Sequence, residues 1–324
     1  MATELYNKSM HDSIDWADLH SALKQQSEFS SLFFDAASMA LKQRQEMLKT
    51  FVLSLHSEAT GIVEGANFKD HRLLPDKIDT QKIMYKATDA YRYILAILNL
   101  CEVSSDEFIE ALRQKDEFLH YRHTLASKQW TGQPIVLFDM DDVLATFREG
   151  FMDYIEKQTG VRLDTHSPEY YCVSLLKTNK ISNDEMFKGF IENHGFLRLG
   201  IDQKYFNLLS HLKREGFWVQ IVTARPAEEL TCFYDTYSWL HRNGFDVDGV
   251  TFTPEKFRWL SEQGFYTSAK VFAVDDSPKH AAEYAKHNVQ VIVPEKSYNH
   301  DVANLDNIIY VPEAADPLQF IPTL

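Results

Sequence analysis

P-I-V-L-F-D-M-D-D-V-L-A-T-F, running from Pro134 to Phe147, is the stretch that decides how this chain folds. Ile135 to Phe138 are apolar without polar alternation, the pattern of a strand buried on both faces of a parallel sheet. The strand ends in acids. Asp139, Asp141 and Asp142 stand at its carboxyl end, where open α/β sheets place their ligand sites. Carboxylates this close repel unless a cation joins them, which points to a hard ion such as Mg²⁺ with oxygen ligands. The alternative is a solvated acidic turn, which would need no partners elsewhere in the chain.

Partners do occur downstream, where strands and helices alternate. A segment from about Arg148 to Arg198 is mostly helical, clearest at Glu149–Lys157 and Asn183–Asn193, and interrupts the alternation directly after the acids. An insertion there would stand over the site as a lid. Its aromatics, Tyr154, Tyr170, Tyr171, Phe187, Phe190 and Phe196, read mainly as the insertion's own core. A helix over Lys204–Arg214 leads to a second strand, Trp218–Val222, ending in Thr223-Ala224-Arg225-Pro226. A hydroxyl and free backbone N–H groups at such a strand end suit an oxyanion. A helix around Tyr234–Asn243 precedes the third strand, Gly249–Thr253, with Pro254 expected in the first turn of the next helix and Lys256 near the strand's end. The fourth strand, Val271–Val274, ends in Asp275-Asp276-Ser277 and repeats the signature of the first. Val289–Val293 is a further strand, and Ile308–Val311 adds a short one at the edge.

Upstream of Pro134 no strand pattern occurs, and residues 1–125 read as helices. Apolar residues recur at helical spacing from Phe51 to Val63 and again over Thr80–Leu100, where Ile83, Met84, Ala87, Tyr91, Ile94, Leu95 and Leu98 make one broad face. Ser104-Ser105-Asp106-Glu107 reads as the cap of a third helix. Periodicity is lost over 126–133, the expected linker.

Composition narrows the function. The 324 residues suffice for two domains, and the formal net charge of -14 argues against binding long nucleic acid. Cys101, Cys172 and Cys232 are widely spaced and suggest neither a disulfide framework nor a zinc site. No apolar run is long enough to span a membrane and no signal peptide opens the chain, so a cytoplasmic location is expected.

The ordered set D-x-D, Thr, Lys and D-D on successive strand ends resembles the haloacid dehalogenase superfamily of phosphatases. The longer match of D-M-D-D-V-L-A-T-F, V-T-A-R-P, W-L-H-R-N-G-F with T-F-T-P-E-K, and V-D-D-S is similar to its 5'(3')-deoxyribonucleotidase branch, over about Pro134 to Asn299. One departure is Asp142, where that branch usually carries Gly. The resemblance implies a Rossmann-like parallel sheet over 134–324 with a helical cap at about 148–198. It also implies Mg²⁺ and hydrolysis of a phosphomonoester through an aspartyl-phosphate, the substrate being a (deoxy)nucleoside 5'-monophosphate. In that scheme Asp139 is the nucleophile and Asp141 the general acid and base. Thr223 and Lys256 bind the phosphoryl oxygens, with Ala224, Arg225 and Phe147 beside the substrate. The ion takes Asp139, the Asp141 main chain and Asp276, with Asp275 behind. Another small phosphomonoester as substrate, or a nucleotide-binding scaffold without activity, are the alternatives.

The helical part resembles the all-α nucleoside triphosphate pyrophosphatases, the MazG-like and dimeric dUTPase group, over roughly Phe51 to Arg122. The likeness rests on L-H-S-E at Leu55–Glu58, N-F-K at Asn67–Lys69, T-D-A-Y-R-Y at Thr88–Tyr93, E-F-I-E-A-L-R-Q-K, and the later Tyr121-Arg122. Such enzymes hold Mg²⁺ with four carboxylates at three-residue steps, which keep each pair on one helical face. Here Glu58 and Asp89 match, but Gly61 and Lys86 occupy the other two places. The resemblance therefore implies a helical domain that has lost its chemistry and serves assembly, as a homodimer, or substrate capture.

Overall fold

The computed structural model describes residues 16–65, 78–161, 182–264, 266 and 270–322. It divides into two compact units, Met1–Gln114 and Lys115–Leu324. Asn67–Lys69, Tyr170, Tyr171 and Cys172 lie outside the described residues. Among those residues no helix is long and apolar enough to cross a membrane.

The first unit contains α1 (Trp16–Ser30), α2 (Leu41–Gly65), α3 (Thr80–Leu100) and the start of α4 (Ser105–Ser127). Asp79 caps α3 by accepting from the backbone N–H of Lys82, 2.9 Å away. The helix cap that the sequence suggests at Ser104 is present at the start of α4, where Ser104 and Glu107 exchange hydrogen bonds as a reciprocal pair. The broad apolar face of α3 divides on folding. Leu95 is buried together with Ala90, Ala96 and Leu100, whereas Met84, Ala87, Tyr91 and Ile94 stay exposed. The reason is that α1 and α2 both pack against α3, and only residues directed between them are covered.

In the second unit six parallel strands line up in the order β3-β2-β1-β4-β5-β6. They are β1 (Ile135–Phe138), β2 (Trp218–Thr223), β3 (Gly249–Phe252), β4 (Val271–Val274), β5 (Gln290–Pro294) and β6 (Ile308–Val311). All four residues of β1 are buried, as an unalternating apolar run requires. Helices α5 (Phe147–Thr159), α6 (Asn183–Glu192), α7 (Gln203–Arg214), α8 (Leu230–Arg242), α9 (Lys256–Glu262) and α10 (Pro278–Lys286) complete the unit. The sheet feeds two cores, Val136 and Phe138 joining one with α5, α7 and α8, and Ile135 and Leu137 the other with Leu260, Ala281 and Tyr284. Phe118, Tyr121 and Leu125 from the second half of α4 belong to the first of these cores. Segment 126–133 also lies in this unit, with Lys128 bridging Asp246 and Asp248.

Strand register positions the site. Phe138 pairs with Ile221 of β2 and Val274 of β4, so the chain leaves β1 and β4 at one level while β2 runs two residues further, to Thr223. Between β1 and β4 the order of the strands reverses, which opens a crevice at their carboxyl ends. One local expectation fails: Pro254 is not in the first turn of α9, whose first residue is Lys256. The side chain of Thr253 accepts from the N–H of Glu255 at 3.1 Å, and this turn carries the chain past Pro254 before the helix starts.

Candidate active site

Asp139 follows β1, Asp275 and Asp276 follow β4, and each contributes a carboxylate oxygen to a group within 4.8 Å. Lys256, the first residue of α9, enters from the segment after β3, two strands away from β1. Its Nζ lies 2.8 Å from Asp139 Oδ1 and 2.8 Å from Asp275 Oδ2, and the side chain is only 1% exposed. Burial opposes the ammonium charge, but the two carboxylates outweigh it and keep Lys256 protonated. Lys270, the other lysine near these strands, is exposed at the start of β4, far down the strand from the cluster.

The carboxylates divide in character. Burial is the largest influence on Asp139 and pushes it up to about 6, with Lys256 opposing and Asp275 and Asp141 adding. Asp275 is buried too, yet Lys256 and His280 outweigh that and hold it down to about 2. Asp276 rises well above the ordinary carboxylate range through burial and the repulsion of Asp139, Asp142 and Asp275. Its Oδ1 is buried without a hydrogen-bond partner.

That orphaned oxygen tests whether the residues fit a cation. A buried carboxylate oxygen without a donor is costly, and three carboxylates against one ammonium leave a net negative cluster. A hard divalent ion would relieve both. The donor set is all oxygen, as Mg²⁺ prefers. Asp275 has its oxygens committed to Lys256 and to the N–H of Ser277, 3.0 Å away, so Asp139 and Asp276 are the better placed to meet the ion.

Asp141 is placed differently from the expectation for its partner. The Arg225 guanidinium, expected beside substrate, is 1% exposed and gives three hydrogen bonds to the Asp141 carboxylate. It also donates to Thr236 Oγ1 at 3.1 Å and lies 4.2 Å over the ring of Phe196. Arg225 therefore holds Asp141, because its planar fork matches a carboxylate. Thr223 is fully buried as the last residue of β2, and its Oγ1 accepts from the N–H of Arg225 at 3.2 Å.

Asp142 stands in the left-handed region with φ 56°, which accounts for a preference for Gly at such a position. Its carboxylate offsets part of the strain. Oδ1 accepts from the N–H of Arg148 in the first turn of α5 at 2.9 Å. Burial pushes Asp142 up to about 6, against that backbone bond and Lys296.

A cavity of about 140 Å³ opens beside the cluster, lined by Asp139, Asp141, Phe147, Phe187, Phe196, Ala224, Arg225 and Pro226, with Ser277 and His280. Phe147 is 4% exposed and stacks on Phe151 and Phe196, with Phe190 edge-on. It packs the insertion and faces the cavity at once. Ser277 and His280 were not foreseen from sequence, nor was the loop after β5. There Tyr298 donates to Asp276 Oδ2 at 2.5 Å and Asn299 Nδ2 donates to the Asp276 carbonyl at 2.8 Å. Their position just past a strand's carboxyl end was the available signal.

In the helical unit, Glu58 of α2 and Lys86 of α3 form an ion pair at 2.8 Å. The hydrogen bond and charge of Glu58 raise the Lys86 pKa. A Cβ on Gly61 would lie 2.8 Å from Lys86 Cδ, so the glycine makes room for the lysine stem. Glu58 and Asp89 also line a cavity of about 590 Å³ walled by Phe29, Phe33, Phe34, Phe51 and Tyr93.

Fold and site together define a parallel α/β protein with a carboxylate cluster built around a buried lysine at the reversal point of its sheet. Comparison of the sequence with family models and with curated proteins finds no match. Among solved structures, the chain is similar to a predicted phosphatase from Clostridium acetobutylicum at 15% identity, over 59% of this chain and 98% of that one, with a TM-score of 0.41. It is similar to a predicted phosphoglycolate phosphatase from Haemophilus somnus 129pt at 15% identity, over 59% and 99%, with a TM-score of 0.39. A Had-superfamily hydrolase from Ehrlichia chaffeensis is similar at 15% identity, over 56% and 93%, with a TM-score of 0.34.

Proposed function

We propose that this chain is a Mg²⁺-dependent phosphatase that hydrolyses (deoxy)nucleoside 5'-monophosphates to nucleoside and phosphate. The observation that carries the reading is the buried Lys256 ammonium held between Asp139 and Asp275, beside a carboxylate with an unpartnered oxygen. Such an arrangement supplies an oxygen nucleophile, a fixed positive charge and a cation site within one small volume. An acidic turn would not bury a lysine among its carboxylates.

In this reading Asp139 attacks phosphorus, the bond to the leaving sugar oxygen breaks, and an aspartyl-phosphate results. Asp141 gives the proton to the departing oxygen and then takes one from the water that attacks the phosphoaspartate. Thr223 and the backbone N–H of Ala224 hold phosphoryl oxygens, with Arg225 beside them, and Lys256 offsets their charge. Mg²⁺, held by Asp139, the Asp141 main chain and Asp276 with Asp275 behind, would neutralise charge on the phosphoryl group. Phe147 and Phe187 offer apolar surface to a base.

The cavity of about 140 Å³ favours a second reading, another small phosphomonoester, since ordinary ligand sites are roughly twice that volume or more. Phosphate release from a panel of nucleoside monophosphates and small sugar phosphates, with Mg²⁺ and with EDTA, tests both. Release restricted to the sugar phosphates would select the second. No release from any substrate, or release indifferent to EDTA, would remove the phosphatase reading altogether.

The helical unit is proposed to bring two copies together. Support comes from the stripe of Met84, Ala87, Tyr91 and Ile94 left exposed along α3. Sedimentation of the full chain as a monomer at micromolar concentration would count against it.

A further inference from the structure

We propose that Tyr298 is a positioning residue for a divalent cation: its hydroxyl holds one carboxylate oxygen of Asp276 so that the other is presented to the ion. The inference rests on the cation-dependent reading of the Asp139 cluster and adds to it a residue from the loop after β5, which supplies none of the cluster's three carboxylates.

The two oxygens of Asp276 have different surroundings. Oδ2 accepts from the Tyr298 hydroxyl at 2.5 Å, while Oδ1 is buried with no partner. Leaving one carboxylate oxygen bare in the interior is costly, and here the bare oxygen lies in a cluster of three carboxylates. A carboxylate that binds an ion through one oxygen needs this asymmetry. Metal-binding carboxylates are in turn hydrogen-bonded by neighbours that fix their orientation.

The loop after β5 is built to hold that hydroxyl in place. Asn299 is fully buried; its Nδ2 donates to the carbonyls of Asp276 and Pro294 at 2.8 and 2.9 Å. Its Oδ1 accepts from the Lys296 N–H and the Tyr310 hydroxyl, both at 3.0 Å. Asp276 is thus fixed by its main chain through Asn299 and by its side chain through Tyr298. The Arg148 guanidinium sits 5.1 Å over the Tyr298 ring. The Tyr298 hydroxyl is also 3.4 Å from Asp142 Oδ2, and Asp142 caps the first turn of α5. One hydroxyl therefore touches both the proposed cation ligand and the root of the helical insertion. Burial and the two carboxylates push the phenol pKa up, which keeps it a donor.

The test is Mn²⁺ binding to the full chain, followed by the paramagnetic resonance of the free ion, with no substrate present. Tyr298→Phe should weaken Mn²⁺ binding by about ten- to a hundredfold, the usual effect of removing such a neighbour. Saturating Mg²⁺ should restore kcat in this variant, whereas a simple loss of folding would not be so rescued. Folded Tyr298→Phe with wild-type Mn²⁺ affinity would overturn the proposal. Asp276→Asn in the same titration separates the two levels. If it loses Mn²⁺ while Tyr298→Phe does not, only the positioning role fails; if neither loses Mn²⁺, the cation site and the phosphatase reading fail together. A chain carrying ¹³Cζ-tyrosine at position 298 alone, chemically unchanged, covers the case in which Tyr298→Phe does not fold. Its resonance should move as Mg²⁺ is added, and a resonance that stays fixed overturns the proposal.

Discussion

Arg225 grips Asp141 with two nitrogens, its Nε 3.1 and 3.0 Å from Oδ1 and Oδ2 and its Nη2 2.6 Å from Oδ1. The guanidinium is itself fixed by Thr236 and by the Phe196 ring, so the orientation of Asp141 is set by residues of α8 and the insertion. A residue that moves a proton is sensitive to such placement, and a misplacement of about 1 Å can cost on the order of a hundredfold. Arg225→Gln should therefore lower kcat about ten- to a hundredfold with a smaller change in KM. Because one partner of a mostly buried pair is removed, the melting temperature should fall as well, by the equivalent of about 3 kcal/mol. Unchanged kcat in the folded variant would mean that the pair is only structural.

Asp139→Asn should reduce turnover by about a thousandfold or more, the scale of losing a covalent nucleophile. Asparagine preserves the shape of the side chain but cannot attack phosphorus. Single-turnover and steady-state phosphate release would both report it. Near-normal rates on every substrate would transfer the nucleophile to another group.

Cation-free protein should become less stable as pH rises from about 4 to about 7. Asp139 and Asp142 are both pushed up to about 6, mainly by burial, against an ordinary value near 3.9 in the unfolded chain. Between those values the folded state keeps protons that the unfolded chain has released, so raising pH favours unfolding. Asp275, held at about 2, acts in the opposite sense but only at lower pH: its stabilisation is complete above the ordinary carboxylate value and is lost in acid. Thermal midpoints in EDTA should fall between about pH 5 and pH 7, and excess Mg²⁺ should flatten the trend by favouring the ionised forms. A midpoint in EDTA that rises over this range would contradict the placement of these carboxylates.

The helical unit should leave dUTP and dCTP intact with either Mg²⁺ or Mn²⁺. The Lys86 ammonium already occupies the Glu58 carboxylate at 2.8 Å, and Gly61 leaves space for that lysine. Replacing both, as Gly61→Glu with Lys86→Glu, would put four carboxylates around one point. In an Asp276→Asn background this double variant should gain Mn²⁺ binding that the parent lacks. Pyrophosphate release by the unaltered chain, abolished by Glu58→Ala, would overturn the expectation.

The sequence by itself determined the strands and the acids that follow them. An apolar run without alternation, such as Ile135–Phe138 or Val271–Val274, can be buried on both faces only in a covered parallel sheet. Acids and a Thr at the ends of such runs must then meet at one edge of the sheet. That reasoning reached Asp139, Asp141, Thr223, Lys256, Asp275 and Asp276, because each lies within a few residues of a strand end and needs no knowledge of long-range packing. Capping was equally local, as in Ser104 with Glu107.

Tertiary structure decided the partnerships between side chains distant in sequence. The resemblance puts Arg225, two residues past Thr223, beside the substrate, and the packing adds that its fork closes on Asp141, 84 residues away. Tyr298 reaches Asp276 across 22 residues from the loop after β5, where no acidic pair marks it as part of the site. Likewise the apolar positions of α3 are all alike in periodicity, and only the packing of α1 and α2 separates buried Leu95 from exposed Met84. Hydrophobic spacing specifies a face and a strand end specifies a location. The direction of a side chain and the atom it meets depend on the surrounding packing, which no local pattern contains.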